Sequence, residues 1–268
     1  MKYYVISPVS NLDPMKLGDS FFVLAHLWVK YPNYRETILR FKSEFPEKWV
    51  TLDCSAAERA LVTEDVLIDV CHQLMPNEVI APDVLFNTTK TVLNATTFRS
   101  RMQAEGLLDE IDIFFCPQGS DQQSWLEAYV WGLDQPWIKT IGLSKIAIPR
   151  AWLGQTDDDQ DIKQARHKCY DYLVANKLLR KPIHCLGMGD PTEFSHYTNP
   201  MVRSTDSVFP ILAASMKQDF RKDSATRVAT PHDFLERYDM SHIDLKLVKS
   251  NVAFLQKECR GYHTRALS

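Results

Sequence analysis

The chain has 268 residues, 45% of them apolar and 24% charged, with a formal net charge of −3. Those are ordinary values for a folded domain with a full core, and they exclude a basic nucleic-acid coat protein; any contact with a polyanion must rely on a local patch. The length exceeds the usual domain mode but suits one α/β barrel.

Met1 to Ser7 holds one Lys and a short apolar run of strand type, so no secretory leader is expected. Phe21 to Val29 is the longest apolar stretch, but His26 interrupts it and it is too short to span a bilayer, so no membrane association is expected. Cys54, Cys71, Cys116, Cys169, Cys185 and Cys259 form no Cys-x-x-Cys pair. They read as reduced, mostly buried thiols of a cytoplasmic protein, in the host cytoplasm if the gene is carried by a phage.

In chain order, short apolar runs alternate with helical patterns. The predicted strands are Tyr3–Ile6, Phe21–Trp28, Trp49–Leu52, Val79–Ala81, Ile111–Cys116, Ile138–Ile141, Ile183–Leu186 and Met201–Thr205. Their Val, Ile, Phe and Trp content suits strands buried on both faces. Predicted helices between them include one opened by Thr63-Glu64-Asp65 and running to Leu74, then Thr88–Glu105, Gln122–Trp131 and Asp161–Leu179. Too few residues separate the first two strands for a long helix. Strand–helix alternation implies parallel strands joined by crossovers. About eight of them in one domain predict a single (β/α)₈ barrel over residues 1–268, with C-terminal helices from about residue 230. The alternative is an open doubly wound sheet, but no Gly-rich phosphate loop follows the first strand.

Two charge clusters stand out. Asp157-Asp158-Asp159-Gln160-Asp161 reads as a solvated loop leading into a helix, in preference to a metal site. Lys246, Lys249, Lys257, Arg260, His263 and Arg265 form a basic cluster near the C-terminus, either a solvated helix face or a phosphate contact.

In barrels of this type, catalytic groups collect where strands end. Asp53, Pro82-Asp83, Pro117-Gln118-Gly119, Gly142-Leu143-Ser144, Gly187-Met188-Gly189 and Asp206 each follow an apolar run. One Asp after a strand is commonly a helix cap. Three on one rim, beside an amide, suit cleavage at an anomeric carbon: one carboxylate attacks or stabilises the sugar and another moves the proton. A third can accept from the N–H groups of a purine edge.

In this order the rim motifs resemble the tRNA-guanine transglycosylase superfamily, and more closely its short phage and bacterial branch, the DNA-guanine transglycosylases. Leu52-Asp53-Cys54-Ser55-Ala56-Ala57 is similar to the family's Asp-Ser-Gly-Gly segment, with Ser55, Ala56 and Ala57 departing from its glycines. Ala81-Pro82-Asp83 resembles the strand end whose aspartate binds the base, and Pro117-Gln118-Gly119 the Gln-Gly turn that reads the base carbonyl. Ile141-Gly142-Leu143-Ser144 resembles a Gly-Gly-Leu-Ser turn, and His184-Cys185-Leu186-Gly187-Met188-Gly189-Asp190-Pro191 a Leu-Met-Gly-Val-Gly-Pro turn. Asp206, in Arg203-Ser204-Thr205-Asp206-Ser207, falls where the family places its nucleophile. The likeness runs from about Trp49 to Pro210. The tRNA enzymes also carry a Cys-x-Cys-x-x-Cys zinc site with a distant His. That spacing does not occur here, and Cys259 with His263 makes only two ligands, so neither a metal nor another cofactor is expected.

The resemblance implies a base exchange that replaces guanine in DNA by a 7-deazaguanine, the 7-cyano form being the expected one. Asp206 would be the nucleophile and Asp53 the acid and base. Asp83, Gln118, Gly119, Gly142, Leu143 and Met188 would hold the base, and Arg203, Arg221, Lys222 and Arg227 would hold phosphates. The partners would be a free base and a flipped or single-stranded guanosine. Ordinary surface charge is the competing reading of those four basic residues. The alternatives are exchange on tRNA, a barrel nucleoside or glycoside hydrolase, and a catalytically silent barrel that binds nucleic acid.

Overall fold

The structure is a computed structural model that describes residues 1–57, 62–154, 159–188, 190–222, 230–231 and 233–265. Its strands are β1 (Lys2–Val5), β2 (Phe21–Leu24), β3 (Val50–Asp53), β4 (Glu78–Ile80), β5 (Asp112–Phe115), β6 (Ile138–Ser144), β7 (Ile183–Leu186) and β8 (Val202–Ser207). They form one parallel sheet in the order β1-β8-β7-β6-β5-β4-β3-β2. Neighbours in sequence are neighbours in the sheet, and β1 returns to β8. That is a (β/α)₈ barrel, because a doubly wound sheet would reverse its order at a switch point.

Among the described residues no backbone ladder joins β1 to β2; the seam is closed by Asp19, just before β2. The Asp19 N–H donates to the Tyr3 carbonyl, and its Oδ2 accepts from the Tyr3 N–H, both at 2.8 Å. Gln256 and Arg260 donate to the other oxygen of the same carboxylate, which ties the seam to the C-terminal helix.

The helices are α1 (Ala25–Lys30), α2 (Pro32–Glu44), α3 (Glu64–Leu74), α4 (Thr88–Ala104), α5 (Gln122–Asp134), α6 (Ala147–Leu153), α7 (Asp159–Ala175), α8 (Pro191–Phe194), α9 (Phe209–Ser215), α10 (Phe234–Arg237) and α11 (Leu245–Arg265). Local chemistry fixes several starts. The Thr63 hydroxyl caps α3 through the Val66 N–H, Asn87 caps α4 through the Lys90 N–H, and Asp121 with Ser124 makes a reciprocal capping box on α5. Only a short 3₁₀ turn, Asp13–Leu17, lies between β1 and β2. Helix α11 packs against β1, that turn and α9, burying Val248, Val252, Leu255 and Cys259. It covers the face that a crossover helix would otherwise cover.

The predicted strand Phe21–Trp28 is corrected. The strand stops at Leu24 and α1 begins at Ala25. An apolar run carries no period that separates a buried strand from a buried helix. Here Ala25, Leu27 and Trp28 face the core while Val29 is exposed. All six cysteines are free and buried. Among the described residues, no helix is long and apolar enough to cross a membrane.

Side chains fill the barrel in layers. At the floor, Glu78 accepts from the Thr51 and Thr140 hydroxyls at 2.7 and 2.9 Å and from Arg203. Above it, Tyr4, Phe22 and Phe114 surround the His184 ring, with centroids 5.4 to 5.6 Å from it. Gly142 leaves the space that Phe114 uses: a Cβ there would stand 2.8 Å from the Phe114 ring.

Candidate active site

The upper layer is a cavity of about 280 Å³ at the C-terminal ends of the strands. Asp53 ends β3 and shares the inward face with Thr51, as strand alternation requires. Asp206 lies two residues beyond inward-facing Ser204 on β8, while Asp83 and Gln118 lie just past β4 and β5. All four line the cavity, with apolar walls from Phe22, Leu24, Ile80, Leu186 and Phe209.

Asp206 is 4% exposed, so its charge needs internal donors. Its Oδ1 accepts from His184 Nε2 at 2.9 Å and from the Gly187 N–H at 3.0 Å. Because a carboxylate only accepts, the His184 hydrogen is assigned to Nε2, and Nδ1 stands 2.8 Å from the Ser204 hydroxyl. Gly187 has φ +68°, and the Lys145 side chain lies where its Cβ would be, 2.5 Å away. Glycine is therefore favoured at the turn that delivers this N–H. Below the turn, fully buried Arg166 donates to Glu193 and to the Leu186 carbonyl, which anchors it.

Asp83 is held on both oxygens. The Cys54 thiol is 3.2 Å from Oδ1, and Gln118 Nε2 donates to Oδ2. The Gln118 carbonyl oxygen accepts from the Phe86 N–H, so both ends of the amide are fixed. Burial outweighs these hydrogen bonds and pushes the Asp83 carboxyl up to about 6. Burial also drives the Cys54 and Cys116 thiols upward, helped by the charges of Asp83 and Asp53, so both remain protonated donors. At Asp53, Oδ1 accepts from the Ser55 N–H at 3.0 Å. Ser55 reaches that position with φ 66°, an uncommon conformation for serine.

The remaining expected site residues separate. Gly119, Gly142, Leu143 and Met188 do not line the cavity. Met188 and Leu143 are wholly buried, and Gly119 serves close packing, since a Cβ there would overlap the Trp125 backbone. Arg203 is corrected: it lies at the floor of the barrel and cannot hold phosphate at the mouth. The β7–β8 register shifts so that Ile183 pairs with Val202 and His184 with Ser204; Arg203 is the extra residue of this bulge and turns onto Glu78. Arg221 makes a bidentate pair with Asp219, and Lys222 is exposed; neither lines the cavity. Arg227 and Gly189 lie outside the described residues, as do Asp157, Asp158 and the side chains of Asp159, His263 and Arg265. Of the C-terminal basic cluster, Lys246, Lys249 and Lys257 are exposed and Arg260 pairs with Asp19.

Sequence reasoning gave no role to five contributors. His184 sits inside an apolar strand and enters the sequence reading only within a turn motif, although a lone polar residue in such a run is itself a signal. Ser144 and Lys145 also line the cavity, as do Pro231 and Leu235 of the C-terminal extension. No group of three or more His, Cys, Asp or Glu side chains among the described residues is placed to hold a metal ion. No protein-family model matches the chain, and no curated protein matches it.

Proposed function

We propose that this barrel is a base-exchanging guanine transglycosylase acting on DNA, with a 7-deazaguanine, expected to be the 7-cyano form, as the incoming base. The observation that carries the reading is the meeting of Asp53, Asp83, Gln118 and Asp206, from four different strand ends, around one cavity. Its volume of about 280 Å³ suits a single planar base. A further point of support is Ser55, which takes a left-handed conformation where the family's segment has glycine.

Asp206 Oδ2 attacks C1′ of a deoxyguanosine. The C1′–N9 bond breaks, its electron pair goes to N9, and Asp53 supplies the proton. Guanine leaves and the 7-deazaguanine enters. Asp53 takes the proton from the incoming ring nitrogen, that nitrogen bonds to C1′ and the ester C1′–O bond breaks, its pair returning to Asp206. Two displacements retain configuration at the sugar. Asp83 accepts from the ring N–H and exocyclic amino group of each base, and Gln118 keeps Asp83 oriented for that contact. Water must be kept from the ester, which would otherwise yield an abasic site.

The test is incubation with duplex and single-stranded DNA and 7-cyano-7-deazaguanine, followed by nucleoside mass analysis. The modified deoxynucleoside should appear, and Asp206→Asn should abolish both it and the covalent protein–DNA adduct. Full activity in that variant would sink the assignment. Modification of tRNA alone would move the reading to the tRNA enzymes, and release of free sugar without added base would make the protein a hydrolase.

A further inference from the structure

Behind the cavity, a polar chain crosses an otherwise aromatic layer. The His184 imidazole is wholly buried and packed by Tyr4, Phe22 and Phe114. Its Nε2 donates to Asp206 Oδ1 and its Nδ1 meets the Ser204 hydroxyl. A histidine with both nitrogens engaged has one fixed ring orientation and a fixed tautomer. Both donors that reach Asp206, Nε2–H and the Gly187 N–H, arrive at the same oxygen. Oδ2 makes no hydrogen bond among the described residues, and Asp206 lines the cavity.

We propose that His184 is the positioning residue of the nucleophile: it holds Asp206 Oδ1 so that Oδ2 is presented to the sugar, and it draws the carboxylate back out of the glycosyl ester. The inference rests on the transglycosylase reading for its second half. When Oδ2 attacks, Oδ1 becomes the ester carbonyl oxygen and gives up most of its charge. When the incoming base displaces the ester, the C1′–Oδ2 pair returns to the carboxylate and Oδ1 regains charge against both N–H donors. Those donors stabilise the carboxylate more than the ester. They make Asp206 a poorer nucleophile and a better leaving group, which keeps the ester from becoming a resting state. The exchanged bases are closely alike, so the two displacements are nearly mirror images and this balance decides how much ester accumulates.

The experiment compares His184→Leu, which keeps bulk and loses the donor, with His184→Gln, which can place an N–H near the Nε2 position. With labelled base and DNA, His184→Leu should slow exchange about 10- to 100-fold, the range of a lost hydrogen bond to a charged group. The fraction of protein trapped as DNA adduct should rise about tenfold or more, for the same reason. His184→Gln should restore part of both. Equal losses in the two variants with an unchanged adduct fraction would show a packing role only and overturn the proposal. A second readout needs neither reaction nor core variant: in ¹⁵N-labelled protein without ligand, the His184 Nε2–H should give a slowly exchanging downfield resonance that moves upfield in Asp206→Ala. Absence of that resonance, or one unmoved by Asp206→Ala, would overturn the positioning contact. A wild type lacking both exchange and adduct would instead defeat the transglycosylase reading and the leaving-group role with it.

Discussion

Gln118 turns its amide nitrogen onto Asp83 Oδ2 and its amide oxygen onto the Phe86 N–H, so the Asp83 carboxylate is oriented before any ligand arrives. With the Cys54 thiol on the other oxygen, Asp83 keeps lone pairs for a base edge without being free to rotate.

The raised carboxyl of Asp83 predicts how base binding responds to pH. Burial lifts it from 3.8 to about 6, so it is an acceptor above that value and a protonated group below it. Affinity for 7-cyano-7-deazaguanine should be level at pH 7 to 8 and weaken as pH falls through about 6, approaching tenfold per unit. Calorimetric titration across that range checks it, and an affinity flat down to pH 5 would remove Asp83 from base recognition.

The same shift has a stability consequence of opposite sense. An acid whose carboxyl is raised by folding favours the fold while protonated. That contribution is complete below about 3.8, declines as pH rises through about 6 and is absent above. Asp83→Asn should therefore stabilise the protein at pH 8, by about 1–3 kcal/mol, from a shift of roughly two units, while abolishing base binding. Thermal melts of both proteins at pH 4.5 and pH 8 give the comparison; a variant less stable than wild type at pH 8 would contradict the burial argument.

Gly187→Ala should damage catalysis more than stability. The added Cβ meets the Lys145 chain and strains a φ of +68°, which costs about 1–2 kcal/mol for a non-glycine residue. The displaced N–H no longer meets Asp206 Oδ1. Exchange should fall at least about tenfold for one such hydrogen bond to a charged group, with a modest loss of Tm. Wild-type turnover in this variant would show that the Gly187 N–H is dispensable.

Arg203→Met should do the reverse. It leaves the wholly buried Glu78 facing two threonine hydroxyls without its cation, and breaking such a pair costs about 3–5 kcal/mol. The partial exposure of Arg203 places the expectation at the low end. Denaturant unfolding measures the loss. The salt dependence of DNA binding should be unchanged, since the guanidinium lies at the end of the barrel away from the mouth. A shallower salt slope would return Arg203 to the phosphate contacts.

Much of the barrel was legible because each β/α unit carries its own period, and Asp53, Asp83, Gln118 and Asp206 each stand directly after an apolar run. What was illegible depends on partners distant in sequence. Arg203 faces inward only because the register with β7 slips by one residue. Leu143 and Met188 sit near the rim along the chain, yet proximity does not say which way a side chain points. The end of β2 was hidden because Val23 through Trp28, apolar except for His26, fits either a strand or a helix reading. In the sequence His184 belongs to a turn motif, while its role follows from Ser204 and Asp206 on the neighbouring strand.

The seam between β1 and β2 also bears on how the protein is made. Tyr3, Tyr4 and Val5 leave the ribosome long before their ladder partners Thr205, Asp206 and Ser207. At about 5–20 residues per second, on the order of 10–40 s of synthesis separates the two strands. During that interval Asp19 is the nearest group able to bond the Tyr3 backbone, through its own N–H and carboxylate. The short clasp can therefore keep the first strand docked beside β2 while the rest of the wall is translated, and Asp19→Ala would expose nascent chains to chaperone capture out of proportion to its effect on the finished barrel.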